Sequence, residues 1–423
     1  MEFTVLKFKS ITGTRDILPP ETYKWHWVEE NLRKIFESYS YNEIRTPIFE
    51  ETNLFARGIG QNTDIVGKEM YTFIDKGGDS LTLRPELTAS VIRAYIQHNL
   101  GNESLLNKFY YIGPVFRQER PQAGRYRQFH QFGLEALGSQ HPSIDAEIIS
   151  IAVEIYNFFK VEDFNLKINS IGCPKCRTKY KEILQSELLK VKSQLSAESQ
   201  KRIELNPLRV LDSKDDRDKE ATKNAPILLN YLCEECNTHF ETLKKYLDEL
   251  EIKYTVDGRI VRGLDYYTKT AFEIITKSLG SQDALAGGGR YDLLAEELGG
   301  NPTPGIGFAS GMERLILMLE KQNLFNIEDQ QKSVFIVSVD DYSRPKALRL
   351  AANLRKENIK TDLDFNLRSV KAQFREANKK NAKIVIVVSK DELETGELTL
   401  KNMSTGEQNK IKISNIINEI KKI

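Results

Sequence analysis

Thirty residues, Phe109 to Gly138 (FYYIGPVFRQERPQAGRYRQFHQFGLEALG), constrain this 423-residue chain more than any other stretch. A β-rich apolar run, Phe109-Tyr110-Tyr111-Ile112, leads into Phe116-Arg117-Gln118-Glu119-Arg120. A polar, turn-rich segment from Pro121 to Gln128 follows, and an alternating stretch from Phe129 to Leu137 returns. The pattern predicts a hairpin with Arg117 and Glu119 on its outgoing strand and a basic loop holding Arg120, Arg125 and Arg127. Arginine forks match phosphate oxygens bidentately, and an aromatic such as Phe129 offers a face on which a purine can stack. A solvated surface hairpin would have little use for four arginines in eleven residues.

Several function classes fall away on composition. With 40% hydrophobic and 29% charged residues, the chain suits a globular protein of two or three domains. It holds no apolar run of about eighteen residues, the length a membrane helix needs. Its opening residues lack the apolar core of a signal peptide, which predicts a cytoplasmic protein. The formal charge of +1 conceals an asymmetry. From Gln331 to Ile423 there are 19 Lys and Arg against 12 Asp and Glu, and the remainder holds 42 against 48. A basic terminal module on a slightly acidic body points to contact with a polyanion.

Periodicity organises the rest. Trp25, Val28, Leu32, Ile35 and Phe36 fall at helical spacing in Glu21 to Ser38, followed by an extended stretch from Tyr41 to Phe49 that carries Thr46-Pro47. Met70 to Asp75 and Leu81 to Glu86 read as a hairpin, and Arg84-Pro85-Glu86-Leu87-Thr88 opens a helix to Leu100. From Gly172 to about Glu251 the texture turns helical and rich in Lys and Glu, as expected of an insertion between halves of a β-rich domain. Cys173, Cys176, Cys233 and Cys236 form two Cys-x-x-Cys pairs, argue against a disulfide framework in the cytosol, and leave a structural zinc and ordinary packed thiols both open. Beyond Gln331 strands and helices alternate, which predicts a mainly parallel sheet with right-handed crossovers.

The stretch FRQERPQAGRYRQFHQFGLE resembles the second signature motif of class II aminoacyl-tRNA synthetases, in the form found in histidyl-tRNA synthetases. RGLDYYTKTAFE (Arg262 to Glu273) and AGGGRYD (Ala286 to Asp292) resemble two signatures of that family, and Pro304 to Leu315 resembles class II motif 3. The resemblance covers essentially the whole chain, in the family's order. It implies an α+β protein: an antiparallel-sheet catalytic domain over residues 1–326 with the helical insertion, and a C-terminal α/β anticodon-binding domain over 331–423.

The implied reaction is ATP-dependent activation of L-histidine to histidyl-adenylate and transfer to the 3′ end of tRNA(His), by a homodimer. The implied roles are specific. Arg117 and Arg262 grip the α-phosphate and the substrate carboxylate, and Arg314 holds the polyphosphate of ATP, which Mg²⁺ accompanies. Phe129 stacks the adenine and Glu119 accepts from its exocyclic amine. Glu135 and Tyr267 address the imidazole. Glu86, Thr88 and Gln131 take the α-ammonium, and Tyr266 and Tyr291 line the pocket. Arg125 and Arg127 are candidates for the acceptor end of the tRNA. Two other classes stay open: a non-catalytic regulatory relative that senses histidine, and a nucleic-acid-binding protein without catalysis.

Overall fold

The computed structural model describes the whole chain except residues 1–7, 61, 62, 64, 123, 212, 214, 261–265, 280–283, 326–332 and 423, and the side chain of residue 205. Two compact units are present, Met1–Phe325 and Asn326–Ile423.

The first unit is built on an eight-stranded sheet. Its six central strands run antiparallel in the order Asn107–Phe116, Gln128–Leu137, Gly305–Gly311, Ala284–Arg290, Thr268–Thr276 and Phe164–Ser170. Short parallel strands, Asn42–Glu43 and Thr255–Val256, close its edges. Because side chains alternate across a strand, the two faces of this sheet are made of different chemistry. Phe132, Leu134 and Ala136 join Ile306 and Phe308 against the helix Pro142–Phe158, where Ile148, Ile149, Ile151 and Ile155 form the main core. The other residues of the same strands, Gln131, Gly133 and Glu135 beside Gly305, Gly307 and Ala309, face away from that core. Small residues on that face leave room for a ligand.

The helix Glu21–Ser38 buries the five residues its spacing predicts. The stretch after it is less regular than expected: only Asn42–Glu43 and Phe49–Glu51 are strands. The cause is Arg84, whose buried guanidinium takes the carbonyls of Thr46 (2.8 Å), Pro47 (3.1 Å) and Pro114 (2.9 Å). Phe49–Glu51 instead joins Ser80–Leu83 and Tyr71–Ile74 in a three-stranded sheet.

The insertion is helical, with Pro174–Lys190, Ala197–Leu205, Asp216–Ala221 and Glu234–Glu249 as its α-helices. Its own small core includes Tyr180, Leu184, Leu188 and Ile203.

The second unit carries a five-stranded sheet in the order Thr361–Leu363, Val334–Ser338, Ile384–Val388, Glu397–Asn402, Gln408–Lys412. The first three strands are parallel, as alternation with the helices Arg344–Lys356 and Val370–Lys379 requires, and the last two form an antiparallel hairpin.

Candidate active site

Arg117 and Glu119 lie just past the end of the outgoing strand rather than on it, because Asn107–Phe116 stops one residue earlier. Arg117 is nevertheless well placed. Its N–H pairs with Arg127 O at 2.9 Å, its Nε donates to Pro85 O at 2.9 Å, and its guanidinium lies 5.5 Å from the Phe129 ring centroid. Glu119 is ion-paired with Arg125. Arg314, from the first turn of the helix Met312–Lys321, donates through Nη1 to Ala284 O at 2.5 Å. Arg117, Glu119, Phe129, Gln131 and Arg314 line one cleft of about 180 Å³. The Oε1 atom of Gln131 is buried there with no hydrogen-bond partner among the described residues, an acceptor left for something in the cleft to satisfy. Two larger hollows, of about 930 and 860 Å³, lie along the helices Pro142–Phe158 and Thr52–Ile59 and hold none of these residues.

Behind Arg117 is a buried cluster centred on Glu135, whose side chain is fully enclosed. Three hydroxyls donate to it: Thr88 Oγ1 to Oε1 at 2.7 Å, Tyr111 to Oε1 at 3.1 Å, and Tyr291 to Oε2. Burial pushes the Glu135 carboxyl up to about 8, against the opposing pull of the hydrogen bonds from Tyr291, Thr88 and Tyr111. Glu86 is buried beside it and accepts from the first amides of its own helix, Thr88 N at 2.5 Å and Ala89 N at 2.9 Å. Burial raises its carboxyl too, although those amides oppose the rise. Tyr266 packs against both Tyr267 and Tyr291, with ring centroids at 4.7 and 5.7 Å.

The strand register explains how so large a cluster fits. Tyr111 stands opposite Gly133, and Glu135 opposite Gly307. A side chain at Gly133 would run into the Tyr111 hydroxyl, and one at Gly307 into the Glu135 carboxylate.

Of the residues expected from the sequence, the structure thus gathers Glu86, Thr88, Glu135, Tyr266, Tyr267 and Tyr291 in one cluster. It places Glu119, Phe129, Gln131 and Arg314 in the adjoining cleft, with Arg117 between. Arg262 lies outside the described residues.

Residues 13–315 of this chain match the family model described as histidyl-tRNA synthetase, and residues 333–423 match that of the anticodon binding domain. The chain belongs to the histidyl-tRNA synthetase family. A histidine–tRNA ligase of Halothermothrix orenii is 49% identical over 415 residues, covering 98% of this chain and 99% of the relative. Another, of Caldanaerobacter subterraneus subsp. tengcongensis, is 49% identical over 413 residues with the same coverage. The crystal structure of apo histidyl-tRNA synthetase from S. aureus superposes with a TM-score of 0.84 at 40% identity, covering 98% of this chain and 100% of that one. The antiparallel sheet is accordingly that of a class II synthetase, and the terminal unit is an anticodon-binding domain.

Three features of this synthetase fold escaped the reading of its sequence. Tyr111 was visible only as part of an apolar run, although a tyrosine paired with a glycine two residues before a glutamate is a signal that register makes legible. Arg84 reads as part of a turn, whereas its side chain is a clamp. The third is an ion cluster beneath Tyr291. Arg290 is fully buried and pairs with Asp145 and with Asp292, and His239 of the insertion lies 2.9 Å from the same Asp145 carboxylate.

The four cysteines also converge. Cys173 stands immediately before the helix Pro174–Lys190 and Cys233 immediately before Glu234–Glu249. All four Sγ atoms lie within 4.8 Å of one another. Cys173 Sγ is 3.7 Å from Cys176 Sγ and 4.0 Å from Cys233 Sγ. The N–H of Cys236 holds the Cys233 thiol down to about 7.

Proposed function

We infer that this chain activates L-histidine with ATP and passes the histidyl group to the 3′ end of tRNA(His), with the residues above in the following roles. The observation that carries this reading is the position of Arg117, which joins a cleft of phosphate-matching groups to a closed cluster built around an acceptor.

Activation is an in-line attack of a carboxylate oxygen on the α-phosphorus of ATP, which breaks the bond to the bridging oxygen and releases pyrophosphate. The nucleophile is already ionised at neutral pH, so no protein base is needed; alignment and neutralisation of developing charge are. Arg117 and Arg262 serve the α-phosphate and the substrate carboxylate, because a guanidinium stays charged and binds as a fork. Arg314 holds the polyphosphate of Mg²⁺-ATP. Phe129 stacks the adenine, for which the guanidinium of Arg117 now above its ring must shift or share the face, and Glu119 accepts from the exocyclic amine once Arg125 releases it. Glu135 and Tyr267 receive the imidazole. Glu86, Thr88 and Gln131 take the α-ammonium, with the orphaned Gln131 Oε1 as a ready acceptor. Tyr266 and Tyr291 form the walls.

The wider readings rest on separate observations. Residues 1–326 act as the catalytic domain and 331–423 bind the anticodon of tRNA(His), in the cytoplasm, where tRNA is charged. The three-stranded sheet leaves Phe49 and Phe73 exposed on one face, an apolar pair that a second copy would cover in a homodimer. A tetrahedral four-thiolate zinc with bonds of about 2.3 Å places its sulfurs about 3.8 Å apart. Separations of 3.7 and 4.0 Å between Cys173 Sγ and the Sγ atoms of Cys176 and Cys233 fit a structural zinc held by Cys173, Cys176, Cys233 and Cys236.

Histidine-dependent exchange of labelled pyrophosphate into ATP, without tRNA, tests the reaction. A synthetase shows it; its absence from a folded preparation overturns the reading. Replacing Arg262 by a neutral residue is expected to slow this exchange far more than it weakens histidine binding, and comparable losses in both would remove Arg262 from its role.

A further inference from the structure

Lys269 sits where the cysteine cluster and the buried cluster of Tyr266, Tyr267 and Tyr291 meet. Its N–H donates to Gly172 O at 2.8 Å and its carbonyl accepts from Ile171 N at 2.7 Å, so its backbone holds the residues that lead into Cys173. Its side chain serves the other cysteine pair: Nζ donates to Glu235 Oε1 at 2.8 Å, and Glu235 stands between Cys233 and Cys236. One residue therefore grips both pairs. It does so with φ of +48°, a backbone conformation that residues other than glycine rarely adopt.

The same lysine adjoins the pocket. It follows Tyr266 and Tyr267 directly, after Thr268. Its ammonium lies 3.9 Å from Asp292 Oδ2, the residue after Tyr291, and Asp292 Oδ1 accepts from Arg290 Nη1 at 2.9 Å. Ile171 packs on both sides, against the core of the cysteine cluster and against Tyr266, Tyr267 and Tyr291. A second tie runs parallel: the helix begun by Cys233 carries His239 to Asp145, which pairs with Arg290. An exposed lysine–glutamate pair contributes little, and Glu235 itself stands in solvent, but Lys269 is only 8% exposed and its ammonium faces two carboxylates.

We propose that Lys269 is a positioning residue: it latches the four-cysteine cluster to the pocket formed by Tyr266, Tyr267, Tyr291 and Glu135, so that the order of the cluster sets the affinity for histidine. This rests on the histidine pocket and the zinc assigned under Proposed function.

The test uses the full chain and three variants, Lys269→Met, Lys269→Arg and Glu235→Gln. Histidine binding is measured by calorimetry, KM for histidine and for ATP by pyrophosphate exchange, and zinc per chain by elemental analysis. Lys269→Met is expected to weaken histidine binding about tenfold, with KM for ATP and zinc content unchanged, and Lys269→Arg to restore it. Glu235→Gln, on an exposed side chain that folding tolerates, is expected to move binding in the same direction. Removing zinc with a chelator should weaken histidine binding in the parent and add little in Lys269→Met, since the two act through one connection. The latch is overturned if Lys269→Met and Glu235→Gln bind histidine as the parent does, or if both KM values rise together without rescue by arginine. Failure of the underlying readings looks different: a parent without pyrophosphate exchange refutes the function, and a parent purified without zinc refutes the metal while Lys269→Met still decides the latch.

Discussion

Glu135 is an acid made to titrate near neutrality by being enclosed. Its carboxyl, raised to about 8, is held neutral below that pH and ionised above it. An imidazole N–H is accepted more strongly by the ionised form, so kcat/KM for histidine in pyrophosphate exchange is expected to climb with pH through about 8 and level off about 1 unit above it. In Glu135→Gln that limb should vanish. In Tyr111→Phe one donor to the ionised form is lost, and the limb should move up by about 1 pH unit. The same shift has a stability side. Because the folded pKa is raised, the contribution of Glu135 is fully present below its ordinary value, near 4.3, and is lost as pH rises through about 8. Glu135→Gln should therefore gain melting temperature relative to the parent at pH 8.5 and not at pH 4. At this scale the sequence told which residue types gather in the site, because the motifs carry them. It did not tell which hydroxyls would share one carboxylate, since that depends on strand register.

Elements were legible where one face of them is buried. The helix Glu21–Ser38 was readable to its ends because five apolar residues repeat at its pitch. The terminal unit was readable because its strands are apolar throughout and its helices are not. Legibility failed between Tyr41 and Phe49, where the expected continuous strand is broken by a side chain from the loop before Pro85. Arg84→Met would leave three carbonyls without that donor and is expected to cost about 3 kcal/mol, read as a lower urea midpoint. The strand Gly305–Gly311 makes the complementary point. Gly307→Ala would push a methyl group into the Glu135 carboxylate, costing about 1–3 kcal/mol. It should raise KM for histidine while leaving KM for ATP close to the parent value, as kinetics in pyrophosphate exchange will show.

At the scale of the molecule, the proposed function divides the work of the two units between chemistry and recognition of a long polyanion. Contacts to phosphate release counterions, so KM for tRNA in aminoacylation should rise steeply with salt. Pyrophosphate exchange, confined to the enclosed site, should change much less over the same range, and parallel titrations of the two activities with KCl will separate them. That the chain has two units of different sheet type was legible from where its periodicity changes, whereas the tie between insertion and catalytic sheet was not. His239 and Asp145 are 94 residues apart, and nothing local marks them as partners. One further consequence lies in the hydroxyls around Glu135. A carboxylate has about four places for incoming hydrogens, and Thr88, Tyr111 and Tyr291 fill three. A single vacancy suits a ring that offers one hydrogen. Glutamine or asparagine, whose planar amide presents a pair, would enter with a hydrogen left over in a dry place, which is ground for rejecting them at the first encounter without any later correction.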